Sequence, residues 1–255
     1  MAYYDNELNI INDFISIPLE EILIFDKEGE DIINSIYDIN NWSNSSGKND
    51  PPPDMYSDKY NLMMDIMRVD DHATTNKKGK IFNSYRVKEN KIFNEIKKWT
   101  KNNKINFNGN IIVNSITDLS TDEDHSYKKY LNEFSRVVKK HDDSNELYVQ
   151  NHPTKSLIYF IFDESSAYFT SEEEKMISKA GETVHGKLHI FFYDKNFIDV
   201  LKKSKADYIL WYAPFKQFRS LENAELPKAV ILTKKYLKNI QNINYDITKM
   251  YSIEE

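Results

Sequence analysis

Apolar and polar positions along this chain follow two periods, and the switches between them mark the elements. In "MYSDKYNLMMDIMRVDD", Met55, Tyr60, Leu62, Met63, Ile66, Met67 and Val69 fall at helical spacing, so a helix is expected there. "RVKENKIFNEIKKWTK" sets Val87, Ile92, Phe93, Ile96 and Trp99 along one side of a second helix. "NIIVNSI" (110–116) has the look of a short apolar strand. "STDEDHSYKKYLNEFSRVVKKH" opens with Ser120 three residues before Glu123, the spacing of a capping box. Its Tyr127, Tyr130, Leu131, Phe134, Val137 and Val138 then form the apolar side of an amphipathic helix.

Beyond it the pattern predicts strand 157–163, helix 171–180, strand 187–193, helix 195–205, strands 206–213 and 228–233, and helix 234–243. Strands apolar on both faces and separated by helices imply βαβ units. The expected fold is therefore α/β, with a largely parallel or mixed central sheet, flanking helices and an acidic N-terminal helical segment. Six glycines and no Gly-rich turn argue against a dinucleotide-binding version of it. The stretch "WSNSSGKNDPPPD" (Trp42 to Asp54) ends in three prolines, which continue neither a helix nor a central strand. It divides the chain into an N-terminal segment (1–49), a Pro-rich linker (50–54) and an α/β body (55–255).

Composition adds exclusions. With 255 residues, 40% apolar and 29% charged, the chain can bury a sizeable core. It has no cysteine, which removes disulfides and thiolate metal sites and suits a reducing compartment. No run of about 18 apolar residues occurs and the opening residues show no basic leader, so a cytoplasmic location without a membrane partner is expected. Charge is uneven. Residues 1–40 carry ten acids against Lys27, a net of −9, whereas 77–104 carry nine lysines and Arg86 against Glu89 and Glu95, a net of +8. The acidic end suits a basic protein partner; the basic stretch suits DNA or RNA.

Candidate chemistry gathers at the expected strand ends, where α/β proteins commonly hold ligands. Asp118, Asp163 with Glu164, and Asp194 with Lys195 all follow apolar runs. Carboxylates with a lysine suit Mg²⁺-assisted phosphoryl or phosphodiester chemistry: Asp118, Asp163, Glu164 and Asp194 would hold the metal, and Lys195 would offset developing charge. The same residues also serve as turn and N-cap groups without any catalysis. "LIYFIFDE" resembles a Walker B strand, but the chain has no GxxxxGK[ST] to accompany it. Glu89 or Glu95, then Asp163 or Asp194, then Lys234 resemble the order of a restriction-endonuclease-like core. That family's second carboxylate is missing, since "VILTKK" has Leu232 at its place.

Histidines adjoin acids in "VDDHA" (Asp70, Asp71, His72), "DEDH" (His125) and "KHDD" (His141). His125 and His141 lie about 24 Å apart on one expected helix, too far to share a metal; His141 is expected at its end, where a cation suits the dipole. In the basic stretch, Lys77, Lys78, Lys80, Arg86, Lys88, Lys91, Lys97 and Lys98 are the candidate nucleic-acid contacts, interleaved with Phe82, Tyr85, Phe93 and Trp99. The helical spacing also places Phe93 and Trp99 at core positions, with the lysines as a solvated face. "WYAPFKQF" (Trp211 to Phe218) leaves a strand at Pro214 with aromatics on either side of Lys216, as a rim of the core or a stacking loop. Two functions stand open. One is a metal-dependent hydrolase of nucleic-acid or other phosphodiester bonds. The other is a non-enzymatic inhibitor or immunity-type protein of phage or bacterial origin that binds through its acidic segment.

Overall fold

The computed structural model describes residues 7–45, 52–71, 73–75, 81–103, 126–171, 186–216 and 226–252, with backbone alone for 73–75, 81–90, 93 and 97. The first elements are α1 (Glu7–Phe14), β1 (Ile22–Ile24), α2 (Lys27–Tyr37), β2 (Ser43–Asn44), β3 (Met55–Ser57) and β4 (Leu62–Val69). Next come β5 (Ala73–Thr75), β6 (Ile81–Asn83), α3 (Ser84–Asn102), α4 (Tyr127–Asn151), β7 (Ser156–Asp163), β8 (Tyr168–Thr170) and β9 (Lys187–Leu188). The chain continues through α5 (Lys195–Lys203), β10 (Tyr208–Tyr212), β11 (Ala229–Thr233), α6 (Lys234–Asn239) and β12 (Met250–Ser252).

The main sheet is mixed and seven-stranded, in the order β1-β11-β10-β7-β4-β3-β2. Its centre is parallel: β7 pairs in parallel with β4 on one side and β10 on the other. Antiparallel partners, β11 and β3, flank that trio. Alternation along the strands sends side chains to two cores. Met63, Met67, Leu157, Tyr159, Ile161, Ile209 and Trp211 join α4 and α5 on one face. Met64, Ile66, Ile158, Phe160, Phe162, Leu210 and Tyr212 meet α1 and α2 on the other. The result is an α/β fold with helices over both faces.

The helix expected over 55–69 is instead the β3–β4 hairpin. Asn61 turns it with φ of 53°, and β4 is buried on both sides except at Arg68. A run that is apolar almost throughout fits the helical template and the buried-strand template equally, and the sheet partners decide. The amphipathic helix is present as α4, but it starts with Ser126 as N-cap, accepting from the Lys129 amide at 3.3 Å, and runs to Asn151. His141 therefore sits well inside the helix, not at its end. The strand expected over 187–193 shortens to β9 followed by a 3₁₀ turn at Phe191–Tyr193. Ser120, "NIIVNSI", His125 and most of the helix expected at 171–180 lie outside the described residues.

The acidic segment enters the same sheet: β1 is one outer strand and β2 the other. Its acids bond to side chains of the body. Asp13 accepts from the Tyr212 hydroxyl, Glu28 from Tyr208 at 2.9 Å, and Asp26 from Thr233 at 2.9 Å. Glu21 pairs with Lys228 at 2.5 Å, and Asp38 with Lys59 at 2.7 Å. Among the described residues no helix is long and apolar enough to cross a membrane.

Candidate functional sites

Because β4, β7 and β10 run parallel side by side, their carboxyl ends open on one edge of the sheet. Asp163 terminates β7 opposite Val69 and is fully buried. One carboxylate oxygen, Oδ1, accepts from the Ser165 amide at 3.0 Å and the Ser165 hydroxyl at 2.5 Å. The other, Oδ2, accepts from the Trp211 indole at 2.8 Å and from the Tyr130 hydroxyl, and lies 3.6 Å from the Lys216 ammonium.

Lys216 is the unusual member, a lysine only 1% exposed. It leaves the chain four residues beyond β10, just past Phe215, which is 51% exposed, and turns inward. Its Nζ donates to the Ser165 hydroxyl and to the Ser166 carbonyl at 3.0 Å. Three aromatic rings surround it, Tyr130 at 4.3 Å, Tyr168 at 5.7 Å and Phe191 at 5.9 Å from Nζ to the ring centres.

Two further carboxylates share this layer. Asp71 accepts from the Tyr168 hydroxyl. Asp194 caps α5 by accepting from the Asn196 amide at 2.8 Å, and also accepts from the Tyr127 hydroxyl and from His189 Nε2 at 2.8 Å. Burial keeps His189 in its neutral form, lowering its pKa against the pull of Asp194. Burial first, and the adjoining carboxylates second, push the phenols of Tyr127, Tyr130 and Tyr168 well above their ordinary range. All three stay donors.

Of the residues singled out for metal chemistry, Asp163 and Asp194 thus share a buried layer but are each enclosed by their own donors. Glu164 turns to Arg68, whose Nη2 donates to it at 2.6 Å, while the guanidinium lies 5.5 Å from the Phe162 ring centre. Lys195 is half exposed and pairs with Asp199 at 2.5 Å, on the outer side of α5. Asp118 and His72 lie outside the described residues. Among the described residues no group of three or more histidines and acids is arranged to hold a metal ion. Sequence reasoning missed Lys216, Ser165 and the tyrosines as one unit. The available signal was chemical: Tyr127 and Tyr130 on the apolar side of α4 need buried acceptors, and "WYAPFKQF" carries a lysine amid aromatics.

A second polar group lies inside the sheet. Asp65, in the middle of β4, accepts from Tyr148 at 2.7 Å and bonds His141 Nδ1. One step beyond the Met55–Met64 register, Asp54 lies against Asp65 and accepts from the Ile66 amide at 2.8 Å. Burial, with the Asp65 charge beside it, pushes the Asp54 carboxyl up to about 7.

The basic stretch presents a different surface. Of the candidate contacts, Lys77, Lys78 and Lys80 lie outside the described residues, and Arg86, Lys88 and Lys97 are placed on α3 by backbone alone. Lys91 and Lys98 are exposed and lie seven residues apart, in one column of the helix. Trp99, expected in the core, is 59% exposed, and Ile92 is 36% exposed. From Lys91 to Asn103 no described side chain is buried. Ile92 and Trp99 thus present apolar surface outward on α3. No family model, no curated protein and no solved structure matches this chain.

Proposed function

We propose that this protein binds single-stranded nucleic acid through α3. The observation that carries the reading is Trp99, exposed beside Lys98 on a helix whose charged residues sum to +4. An exposed indole next to a column of ammonium groups supplies what such ligands need: a flat apolar face for a base and cations for the phosphates. Duplex recognition has less support, since an aromatic and aliphatic stripe gains nothing against a phosphate backbone.

Mg²⁺-dependent hydrolysis by Asp163, Glu164, Asp194 and Lys195 finds no shared site among the described residues, because each already holds a protein partner. Recognition without turnover by these groups is the reading we adopt. The acidic segment has less support as the recognition surface, since five of its acids bond to the body.

The test is fluorescence anisotropy with labelled single-stranded oligonucleotides. Trp99→Ala should weaken binding about 5- to 150-fold, the usual worth of one stacked base. Lys91→Glu with Lys98→Glu should weaken it further and flatten its salt dependence. Wild-type binding that ignores both changes would reject α3 as the contact element.

A further inference from the structure

We propose that the cage around Lys216 is a binding site for a primary alkylammonium group, which Lys216 occupies in cis in place of a free amine ligand. The proposal is independent of the role of α3. Its first support is position. The cage stands at the carboxyl ends of three adjacent parallel strands, β4, β7 and β10, where ligands of α/β sheets commonly lie.

Its second support is composition. Tyr130, Tyr168 and Phe191 present rings within 6 Å of the ammonium, Asp163 supplies the counter-charge at 3.6 Å, and Ser165 Oγ and the Ser166 carbonyl accept its hydrogen bonds. These are the parts that recognise an organic cation: aromatic faces for its attraction, a carboxylate for its charge, and acceptors fixed in direction for a primary amine. Simple packing would not call for them, since an aliphatic side chain fills such a volume without the desolvation of a buried ion.

Its third support is the way the occupant arrives. Lys216 enters from a segment beyond the end of β10 whose preceding residue, Phe215, is half exposed. The ammonium is therefore carried in by the residues that follow β10, next to the exposed Phe215, while the lining comes from α4, β7, β8 and the turn at Phe191. Lining and occupant are separate parts of the structure. A tethered lysine acts as an internal competitor, present at a high effective concentration.

The experiment follows the thermal unfolding of the full chain with increasing n-butylammonium chloride, against n-butanol and against sodium chloride at equal ionic strength. Lys216→Ala should unfold earlier than wild type and regain at least half of the lost Tm in a saturable manner with n-butylammonium alone. Adding Asp163→Asn to that variant should abolish the recovery. Lys216→Met, whose side chain fills the cage, should not respond. The wild type should need at least tenfold more amine than Lys216→Ala for an equal shift. Equal recovery with n-butanol would reduce the site to an apolar hole and overturn the proposal. So would a folded Lys216→Ala indifferent to the amine, or one that stays unfolded in its presence. Equal sensitivity of wild type and variant would overturn the role of Lys216 as occupant.

Discussion

Replacing Asp163 by asparagine keeps the size of the side chain and removes the charge. What remains is a fully buried lysine ammonium that has lost the carboxylate 3.6 Å from it. Breaking one member of a buried ion pair costs about 3–5 kcal/mol because the other charge stays uncompensated. Asp163→Asn should lower the unfolding free energy by that amount in urea titrations. A variant as stable as wild type would mean that Lys216 is not held there as an ion. Asp54 gives a second prediction, on pH. Its folded pKa of about 7 stands above the 3.8 of an unperturbed aspartate, so the folded state favours the protonated group. Its contribution to stability is full below about pH 4 and is lost as pH rises through 7. His189 acts in the opposite sense: its pKa is lowered, so its contribution is present above 6.5 and is lost as pH falls through the folded value. Asp54→Asn should therefore leave stability near pH 4 almost unchanged and raise the Tm at pH 8, flattening the profile in between. An equal Tm difference at both pH values would show that the Asp54 charge is not the cause.

Elements rather than residues decide how much of this was legible beforehand. Amphipathic stretches with a single period were legible: α4 buries Tyr127, Tyr130, Phe134, Val137 and Val138 on the side their spacing predicted. So was the apolar run of β7, and so were the places of β10 and β11. The β3–β4 hairpin was not, because its density of methionine and isoleucine satisfies both periods and the choice is made by strands distant in sequence. The candidate site fared similarly. Asp163 stood out at a strand end, but its partners Tyr130, Trp211 and Lys216 come from α4, β10 and the segment beyond β10, and no local pattern links those. An element-scale prediction concerns the join of β1 to α2. Asp26 caps α2 by accepting from the Gly29 amide at 2.8 Å, and the same carboxylate accepts from Thr233 at the end of β11. Gly29 lets the helix approach closely: an added Cβ would stand 3.1 Å from an Ile231 methyl carbon. Asp26→Ala removes a cap and a bridge together. It should cost about 1–2 kcal/mol, and Thr233→Ala should cost less in that background than in wild type, because the bridge is already gone and only its capping bond to the Tyr236 amide at the start of α6 is left to lose.

For the whole molecule the question is whether the N-terminal segment is an appendage or a layer. The Pro-rich stretch lies between β2 and β3, which pair with each other, and the Ser45 amide bonds the Asp54 carbonyl at 2.7 Å across it. Residues before that stretch bury Ile10, Ile11, Phe14, Ile17, Ile22, Ile32, Ile33, Ile36 and Trp42. At about 1.5–3 kcal/mol for each fully buried large apolar side chain, their gross contribution is as large as, or larger than, the roughly 5–15 kcal/mol by which a domain is usually stable. Ordering the segment consumes part of that gain, yet removing it does more than cancel the two terms. It uncovers Met64, Ile66, Ile158, Phe160, Phe162, Leu210 and Ile231, a continuous apolar face in the middle of the sheet. An exposed patch of that kind drives association. A chain starting at Pro53 should therefore be recovered as aggregate, or as an expanded species that elutes early and shows no cooperative thermal transition. Size-exclusion chromatography with circular dichroism decides it: a monomeric, cooperatively folding truncation would mean that the α1–α2 layer is dispensable and that the sheet finds its cover elsewhere.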